Sequence, residues 1–468
     1  MTLLSVAIFL IPIIIGTLFV HLLWNNNDPK ILLLKFALGI GTGIGLTSLL
    51  YFMFLFTHQA WFLFLLLGIL FLLGLITLRN WKPLSLSKRT PLGRVQKLLL
   101  LILAVIIIVD LATFVSTSLR RPHGAWDSWA VWNRTARFIY RGGEDWQRIF
   151  SAEFYWLFHA DYPLLVPLTN AWGWDILNFE TLRIPMIQSG IYLFGSGLLL
   201  FSALFVFRSI GTASLATIVL MALPDFVVIG SSQLADIPLA IFIAATAILF
   251  SLYSKYRQPQ MMALAGITTA LAAWTKNEGL IFLAASLAGL LVICYKEKQA
   301  WGLAAWYFGG IALPILIVVC YRFILAPPGD LLPSGWNEIW QHTTDLSRYV
   351  ITLKAFAGVF LNISGWGYSA GYNALSFFLY YLVWRRKDTN LWSRGLLAVV
   401  VMLVIQLIAY FAIYILTPHD LEWHLTFSLD RILLHIYPTV LFVLFSITED
   451  PENSFPLKEP FALGRGTR

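Results

Sequence analysis

The carboxylate of Asp127 follows directly after the fourth strongly apolar stretch of this chain, in a segment rich in Trp and Arg. A carboxylate placed there can accept a proton from a hydroxyl group, which is general-base chemistry. It can also act as an N-cap or first-turn residue that the helix dipole stabilises. The two roles are compatible, so Asp127 is the first candidate for a catalytic residue.

Other groups with chemical potential lie at the ends of apolar stretches. His159 and Asp161 are suited to holding a metal ion or to hydrogen-bonding a hydroxylated ligand. Catalytic metal sites usually have three protein ligands, so this pair makes a divalent metal possible and leaves metal use open; no cofactor is indicated with certainty. The further candidates for substrate binding are Asp236, Lys276, Glu278, His424, Asp430 and Arg431.

Each of these groups also has a structural interpretation. Asp236 precedes Pro238 at the start of an apolar run and reads as an N-cap. Lys276 and Glu278 are close enough in sequence to neutralise each other, although a buried lysine can also hold a phosphate as a point charge. Asp430 and Arg431 can form an ion pair, or Arg431 can contact a phosphate with its fork of donors.

The elements that position these groups must be membrane helices. The 468 residues are 59% hydrophobic and only 12% charged, and the mean hydropathy is +0.77. This composition predicts an all-α, polytopic membrane bundle. The net charge of +8 is typical of basic cytoplasmic loops rather than of a nucleic-acid partner. Cys294 and Cys320 lie in apolar runs and read as core residues.

A bilayer-crossing helix needs about 20 apolar residues, and about thirteen stretches meet that requirement. The first is long enough to be a retained helix rather than a cleaved signal. The predicted spans are 3–23, 31–56, 60–78, 98–118, 185–207, 211–231, 237–254, 261–275, 279–295, 301–325, 366–384, 395–417 and 432–448.

Short basic loops predict the orientation of these spans. If each span crosses once, five basic segments share one side, which we predict to be cytoplasmic: 79–97, Arg208, 255–257, 296–298 and 385–387. The long loop 119–184 after the fourth span is then outside. All nine candidate residues fall on that same outer side, which predicts one site at one face of the membrane.

The outer loop begins with a short amphipathic helix over 126–141, ended by Gly142 and Gly143. It either anchors the loop in the headgroup layer, with its arginines towards phosphate, or positions a site. Pro163 and Pro167 predict an extended segment over 159–167. The segment 351–365 reads as a re-entrant or interfacial piece, and 449–468 as a disordered cytoplasmic tail.

Four segments of this chain resemble the GT-C superfamily of integral membrane glycosyltransferases, and among them bacterial members related to protein mannosyltransferases and aminoarabinose transferases. They are Trp126-Asp127 with 159–163, then 235–240, 275–279, and 423–425 with 428–431. The resemblance covers about Arg120 to Pro438. It implies a sugar donor linked to polyprenyl phosphate, and a lipid, glycan or protein acceptor.

The resemblance also implies a multi-pass protein of the inner (plasma) membrane, with its active site on the non-cytoplasmic face and Asp127 as the catalytic residue. A single base acting in direct displacement would invert the anomeric centre. Residues 1–97 are then accessory helices with a basic loop, and 98–448 form the catalytic module. The chain departs from the family pattern because Ser128 follows Asp127 where a second acid is expected, and because it has no large C-terminal domain. The first departure places metal dependence in doubt, and the second argues against transfer to protein sequons.

Two other functional classes fit the composition. A transporter or lipid flippase also has many spans and intramembrane charges, but those charges are expected near the midplane of repeated units. A polysaccharide polymerase or ligase uses the same lipid-linked donors. A purely structural scaffold gives no reason for Asp127, Asp161, Lys276 and Arg431 to share a side.

Overall fold

The part of the chain that the structure describes is predominantly helical. The computed structural model describes residues 2–24, 26–57, 61–80, 91–154, 157, 159–329, 333, 335–361, 374–386 and 393–454. Within these ranges there is no β-strand, only an isolated bridge between Arg385 and Thr448. The predicted all-α class is therefore confirmed.

In chain order the helices are α1 (Thr2–Leu23), α2 (Pro29–Phe54), α3 (Phe62–Arg79), α4 (Arg94–Arg120), α5 (Asn133–Gly142), α6 (Leu165–Leu177), α7 (Arg183–Phe207), α8 (Ile210–Met221), α9 (Pro224–Ser231), α10 (Asp236–Tyr256), α11 (Gln260–Thr275), α12 (Asn277–Cys294), α13 (Ala300–Cys320), α14 (Trp336–Thr344), α15 (Leu346–Leu361), α16 (Ala374–Trp384), α17 (Arg394–Leu416), α18 (Leu421–Leu434), α19 (Tyr437–Ile447) and α20 (Pro451–Ser454).

Nine helices of the described ranges are long and apolar enough to cross a membrane: α1, α2, α3, α4, α7, α10, α12, α13 with its π-helical continuation to Leu325, and α17. Two pairs are bent at short breaks, α8–α9 by 67° and α18–α19 by 45°, and the number rises to eleven if each pair is one span. The chain is thus a multi-pass membrane protein. Pro224 and Pro438 stand in the first turns after the two breaks, where a proline is tolerated but cannot continue a preceding helix.

Helix α10 is the centre of the bundle. Its membrane-crossing window is 94% buried, against 6% for α4, so α10 is surrounded by protein and α4 presents its apolar side chains to lipid. Helices α7, α11, α17 and α19 pack around α10. Helix α2 packs against α7 and α6, which joins the first helices directly to the rest. These contacts hold the N-terminus of α10, where Asp236 lies, in a fixed position.

The predicted cytoplasmic segments meet one another at one end of the bundle. Arg208 pairs with Asp450 at 3.2 Å, and the Gln96 amide donates to Glu452 at 2.8 Å. Arg257 pairs with Glu297 at 2.9 Å. The grouping by topology is consistent with these contacts.

Three local predictions need correction or completion. Residues 449–454 are not disordered, since Asp450 and Glu452 make the contacts just described and α20 forms there; residues 455–468 lie outside the described residues. The extended segment predicted over 159–167 ends early, because α6 starts at Leu165 and takes Pro167 into its first turn, where its missing N–H is harmless. Residues 351–361 belong to the continuous helix α15, and 362–373 are outside the described part, as are residues 81–90.

Candidate functional site

Asp127 lies in the first turn of a helical segment of the outer loop. The chain is helical from Trp126 to Gly142, with a π-helical turn over Ser128–Trp132 and Gly143 at a φ of 54° after its end. The predicted helix is confirmed. The Asp127 side chain makes no capping hydrogen bond, so it is available for contacts across the fold. Single π turns within helices are frequent at functional sites.

This segment is tied to the loop that leads into α10. The Ser128 hydroxyl donates to the Ser232 carbonyl oxygen, which also accepts from the Ala125 backbone at 3.1 Å. The Asn133 amide donates to Gln233 at 2.8 Å. These bonds hold Asp127 beside the N-terminus of α10.

Most of the apolar face of α5 and its preceding turn is covered by protein. Trp132, Ala136 and Ile139 are each at most 2% exposed, and α5 packs along α6. These side chains therefore do not reach lipid. Trp126 and Trp129 of the same segment are 51% and 49% exposed, so the alternative in which the segment anchors the loop in the headgroup layer keeps an apolar contact surface.

A chain of ion pairs runs inward from Asp127. Its Oδ2 lies 2.6 Å from Nη1 of Arg431 on α18. Nη2 of Arg431 lies 3.0 Å from Oδ2 of Asp236. Asp127 and Arg431 have side chains 29% and 25% exposed, whereas Asp236 is fully buried. The outer pair is accessible and the inner carboxylate is not.

Asp236 gathers two more partners. Lys276, between α11 and α12, donates to its Oδ1 at 3.1 Å and to Glu278 at 2.8 Å. His435, at the break between α18 and α19, places Nε2 2.9 Å from the same Oδ1. With the proton on Nε2, His435 donates to Asp236, and its Nδ1 accepts from the Tyr410 hydroxyl at 3.1 Å. Buried charges of both signs are thereby paired, as burial requires.

These contacts decide between the alternatives left open by the sequence. The neutralisation of Lys276 by Glu278 is confirmed. The N-cap interpretation of Asp236 is wrong: Ala235 is the cap residue, and the Asp236 carboxylate binds side chains from other helices instead of its own backbone. Arg431 forms its ion pairs with residues 304 and 195 positions away.

Asp161 and His159 lie beside this network. Oδ2 of Asp161 accepts from the Asn277 amide at 2.9 Å, and the Arg322 guanidinium lies 3.6 Å from the same oxygen. Asn277 stands between Lys276 and Glu278, so the 159–163 loop abuts the same junction. His159 stacks on Tyr162, with centroids 4.5 Å apart. Asp161 thus serves to fix the loop against α12.

His424 and Asp430 occupy α18 near Arg431. Nδ1 of His424 lies 2.9 Å from the Thr417 hydroxyl oxygen, and the ring packs edge-on against Tyr414. Asp430 is half-buried and interacts unfavourably with the carboxylate of Asp225 on α9. Neither belongs to the chain of ion pairs.

Among the residues whose structure is described, no group of three or more His, Cys, Asp or Glu side chains is arranged to hold a metal ion. His159 and Asp161 therefore gain no third metal ligand among the described residues.

An arginine-lined cleft of about 580 Å³ adjoins the site. Its walls include Trp129, Arg134, Arg137, Arg141 and Arg148. Burial lowers the pKa of Arg134 to about 10. Arg137 and Arg141 both bind Glu180, at 2.7 Å each. Partial burial acts to raise the pKa of Glu180, but the two arginines outweigh it and hold that pKa below its ordinary value.

Sequence reasoning missed His435 and Tyr410. Both are fully buried and lie in apolar runs. The available signal was His435 itself, because an ionisable residue inside a predicted span indicates a specific partner.

No protein-family model, no curated protein and no solved structure matches this chain.

Proposed function

We propose that the chain is a glycosyltransferase of the GT-C type, which transfers a sugar from a polyprenyl-phosphate donor to a lipid, glycan or protein acceptor. The observation that carries the proposal is the Asp127–Arg431–Asp236 arrangement: a part-exposed carboxylate on a part-exposed guanidinium that is anchored to a buried carboxylate. It places a base beside a cation suited to phosphate.

Support for the family comes from the four segments of the resemblance. Asp127, Asp236, Lys276 and Arg431 belong one to each segment, and they are joined by direct ion pairs. Segments far apart in sequence thus converge on one place, as expected if each contributes to one site.

In this proposal Asp127 accepts the proton of the acceptor hydroxyl as its oxygen attacks the anomeric carbon. The bond from that carbon to the phosphate oxygen breaks, and the polyprenyl phosphate leaves with the electron pair. Arg431 stabilises the charge that develops on this phosphate. One direct displacement inverts the anomeric centre.

Lys276 has a supporting role. Its side chain is only 6% exposed and already has two carboxylate partners, so a phosphate does not reach it. Lys276 instead holds Asp236, which in turn fixes the plane of the Arg431 guanidinium. It is a positioning residue rather than a phosphate ligand.

The location of the charges favours an enzyme over a transporter. Asp236 opens α10, Lys276 joins α11 to α12, and Arg431 lies in the last turn of α18. Asp236 and Lys276 lie at the ends of continuous helices, as expected for a site at one face. Arg431 lies beside the break of the bent pair α18–α19, and broken helices also line the sites of transporters, so Arg431 does not separate the two classes.

The proposal includes the finer topology. Beside the eleven spans counted above, α11 has 16 residues and is buried throughout, and α16 is the described end of the stretch 366–384. With these two crossings there are thirteen spans, with the site on the non-cytoplasmic face of the inner membrane.

The test is sugar transfer from a panel of radiolabelled polyprenyl-phosphate sugars by purified protein in liposomes that contain membrane lipid extract as acceptor. We expect transfer by the wild type and a loss of at least about 100-fold in Asp127→Asn, the effect of removing a general base. Asp145→Asn, which changes an exposed carboxylate of the same loop, is the matched control and should retain activity. Equal activity in wild type and Asp127→Asn would remove Asp127 as the base, and inactivity of the wild type on every donor would count against the enzyme class.

A further inference from the structure

Asp127 is bound to the cation that the proposed function assigns to the donor phosphate. Among the described residues, the ion-pair partner of Asp127 is Arg431, at 2.6 Å. This contact holds the carboxylate against the guanidinium through Oδ2, so the carboxylate is not free to turn towards a hydroxyl group. In this structure Asp127 therefore occupies part of the proposed phosphate site, and Arg431 restrains the proposed base.

The two carboxylates on Arg431 are held with unequal strength. Asp236 is fully buried and is also bound by Lys276 and His435. Asp127 has a side chain 29% exposed and lies at the start of a loop helix. An anion that approaches Arg431 from outside therefore displaces Asp127 and leaves Asp236 in place.

Arg431 also has donor capacity to spare. Its Nε is buried and has no hydrogen-bond acceptor among the described residues. A guanidinium has five N–H donors. Nε–H lies on the edge that it shares with Nη2, which Asp236 holds, so this donor stays on the side of Asp236. A phosphate that replaces Asp127 gains the N–H groups of Nη1.

We propose that the Asp127–Arg431 ion pair is a latch that the donor phosphate opens. The phosphate replaces Asp127 on Nη1, and the released carboxylate turns to the acceptor hydroxyl. The base is engaged until the donor is bound, so the donor binds before the acceptor reacts. This inference rests on the proposed function.

The latch makes a prediction opposite to that of an ordinary binding residue. Phosphate binding to the wild type must first break an ion pair, and Asp127→Asn removes the charge while keeping the shape of the side chain. A charged hydrogen bond of this kind contributes about 1.5–3 kcal/mol, so even its smaller value corresponds to about tenfold in affinity. We expect Asp127→Asn to bind polyprenyl monophosphate about tenfold more tightly than the wild type.

The experiment is calorimetric titration of a short-chain polyprenyl monophosphate, without sugar, into protein in phosphatidylcholine nanodiscs. The variants are Asp127→Asn, Arg431→Gln and the double variant, with Asp145→Asn as control. The gain in phosphate affinity of Asp127→Asn should vanish in the double variant, because the gain depends on the Arg431 guanidinium. The corresponding polyprenol, which has no phosphate, should bind wild type and Asp127→Asn alike.

The remaining outcomes separate the latch from the proposed function. Equal or weaker phosphate binding by Asp127→Asn overturns the latch, and wild-type transfer in the sugar assay then leaves the enzyme assignment standing. Absence of phosphate-dependent binding in every form overturns both the latch and the donor assignment.

Discussion

Replacement of Asp236 by Asn tests whether this buried carboxylate holds the site together. The variant keeps the size of the side chain and removes its charge. The wild-type carboxylate is fully buried and contacts Lys276, Arg431 and His435 at 3.1, 3.0 and 2.9 Å. After the change, the buried Lys276 and the part-exposed Arg431 lose one shared counter-ion.

The magnitude follows from what each cation keeps. Removal of one partner from a buried ion pair usually costs about 3–5 kcal/mol. Lys276 retains Glu278 at 2.8 Å and Arg431 retains Asp127 at 2.6 Å, so neither is left alone. We therefore expect the lower end of that range, about 3 kcal/mol, rather than the sum of two broken pairs.

The assay is reversible unfolding in mixed micelles with increasing sodium dodecyl sulfate, followed by tryptophan fluorescence. Asp225→Asn is the matched control, because Asp225 is also buried but has no ion pair with any described residue. Its loss should be under about 1 kcal/mol. A loss that small in Asp236→Asn would refute the reasoning, and equal losses in both variants would assign the effect to carboxylate burial instead of pairing.

Two further predictions concern the loop and the helix junction. Because the pKa of Glu180 lies below its ordinary value through Arg137 and Arg141, its stabilisation is present above about pH 4.5 and is lost as pH falls through the depressed value. Glu180→Gln should therefore lower hydrogen-exchange protection of α5 roughly fivefold at neutral pH, about 1 kcal/mol, and abolish the acid-dependent part; an unchanged pH profile would contradict this. Gly279→Ala would place a Cβ against the backbone oxygen of Ala272 in α11, closer than van der Waals contact allows, and should lower the free energy of unfolding by about 1–3 kcal/mol. Gly302→Ala meets no atom within 4 Å and should cause no loss in the same denaturant titration, with a gain of up to about 1 kcal/mol from the higher helix propensity of Ala.

Much of the fold could be predicted because the bilayer sets the length of an apolar helix. Helices such as α7 and α10 begin and end within a few residues of their predicted bounds. The stretches 211–231 and 432–448 look continuous by hydropathy, but Pro224 and Pro438 limit where a helix can continue. Apolar content alone carries no information about such breaks.

The sequence predicted that the site residues share one side of the membrane, but it did not predict which residues pair with one another. Topology placed Asp127 and Arg431 on one face, since that follows from counting crossings. Neighbours such as Asp430 and Arg431 point about 100° apart around a helix, and which helix each one faces depends on packing among distant segments. No local pattern specifies a pair separated by 304 residues.

That separation has a consequence for biosynthesis. Asp236 is synthesised 195 residues before Arg431, which at usual elongation rates corresponds to roughly 10–40 s. During that interval α10 and then α11 enter the membrane. Once Lys276 has been synthesised, it is the cation available to the Asp236 carboxylate. The last bent pair of helices supplies the arginine that completes the site. If the proposed function holds, a ribosome-bound chain that stops before α18 lacks the arginine for the donor phosphate, and we predict that activity begins only when synthesis of α18 is complete.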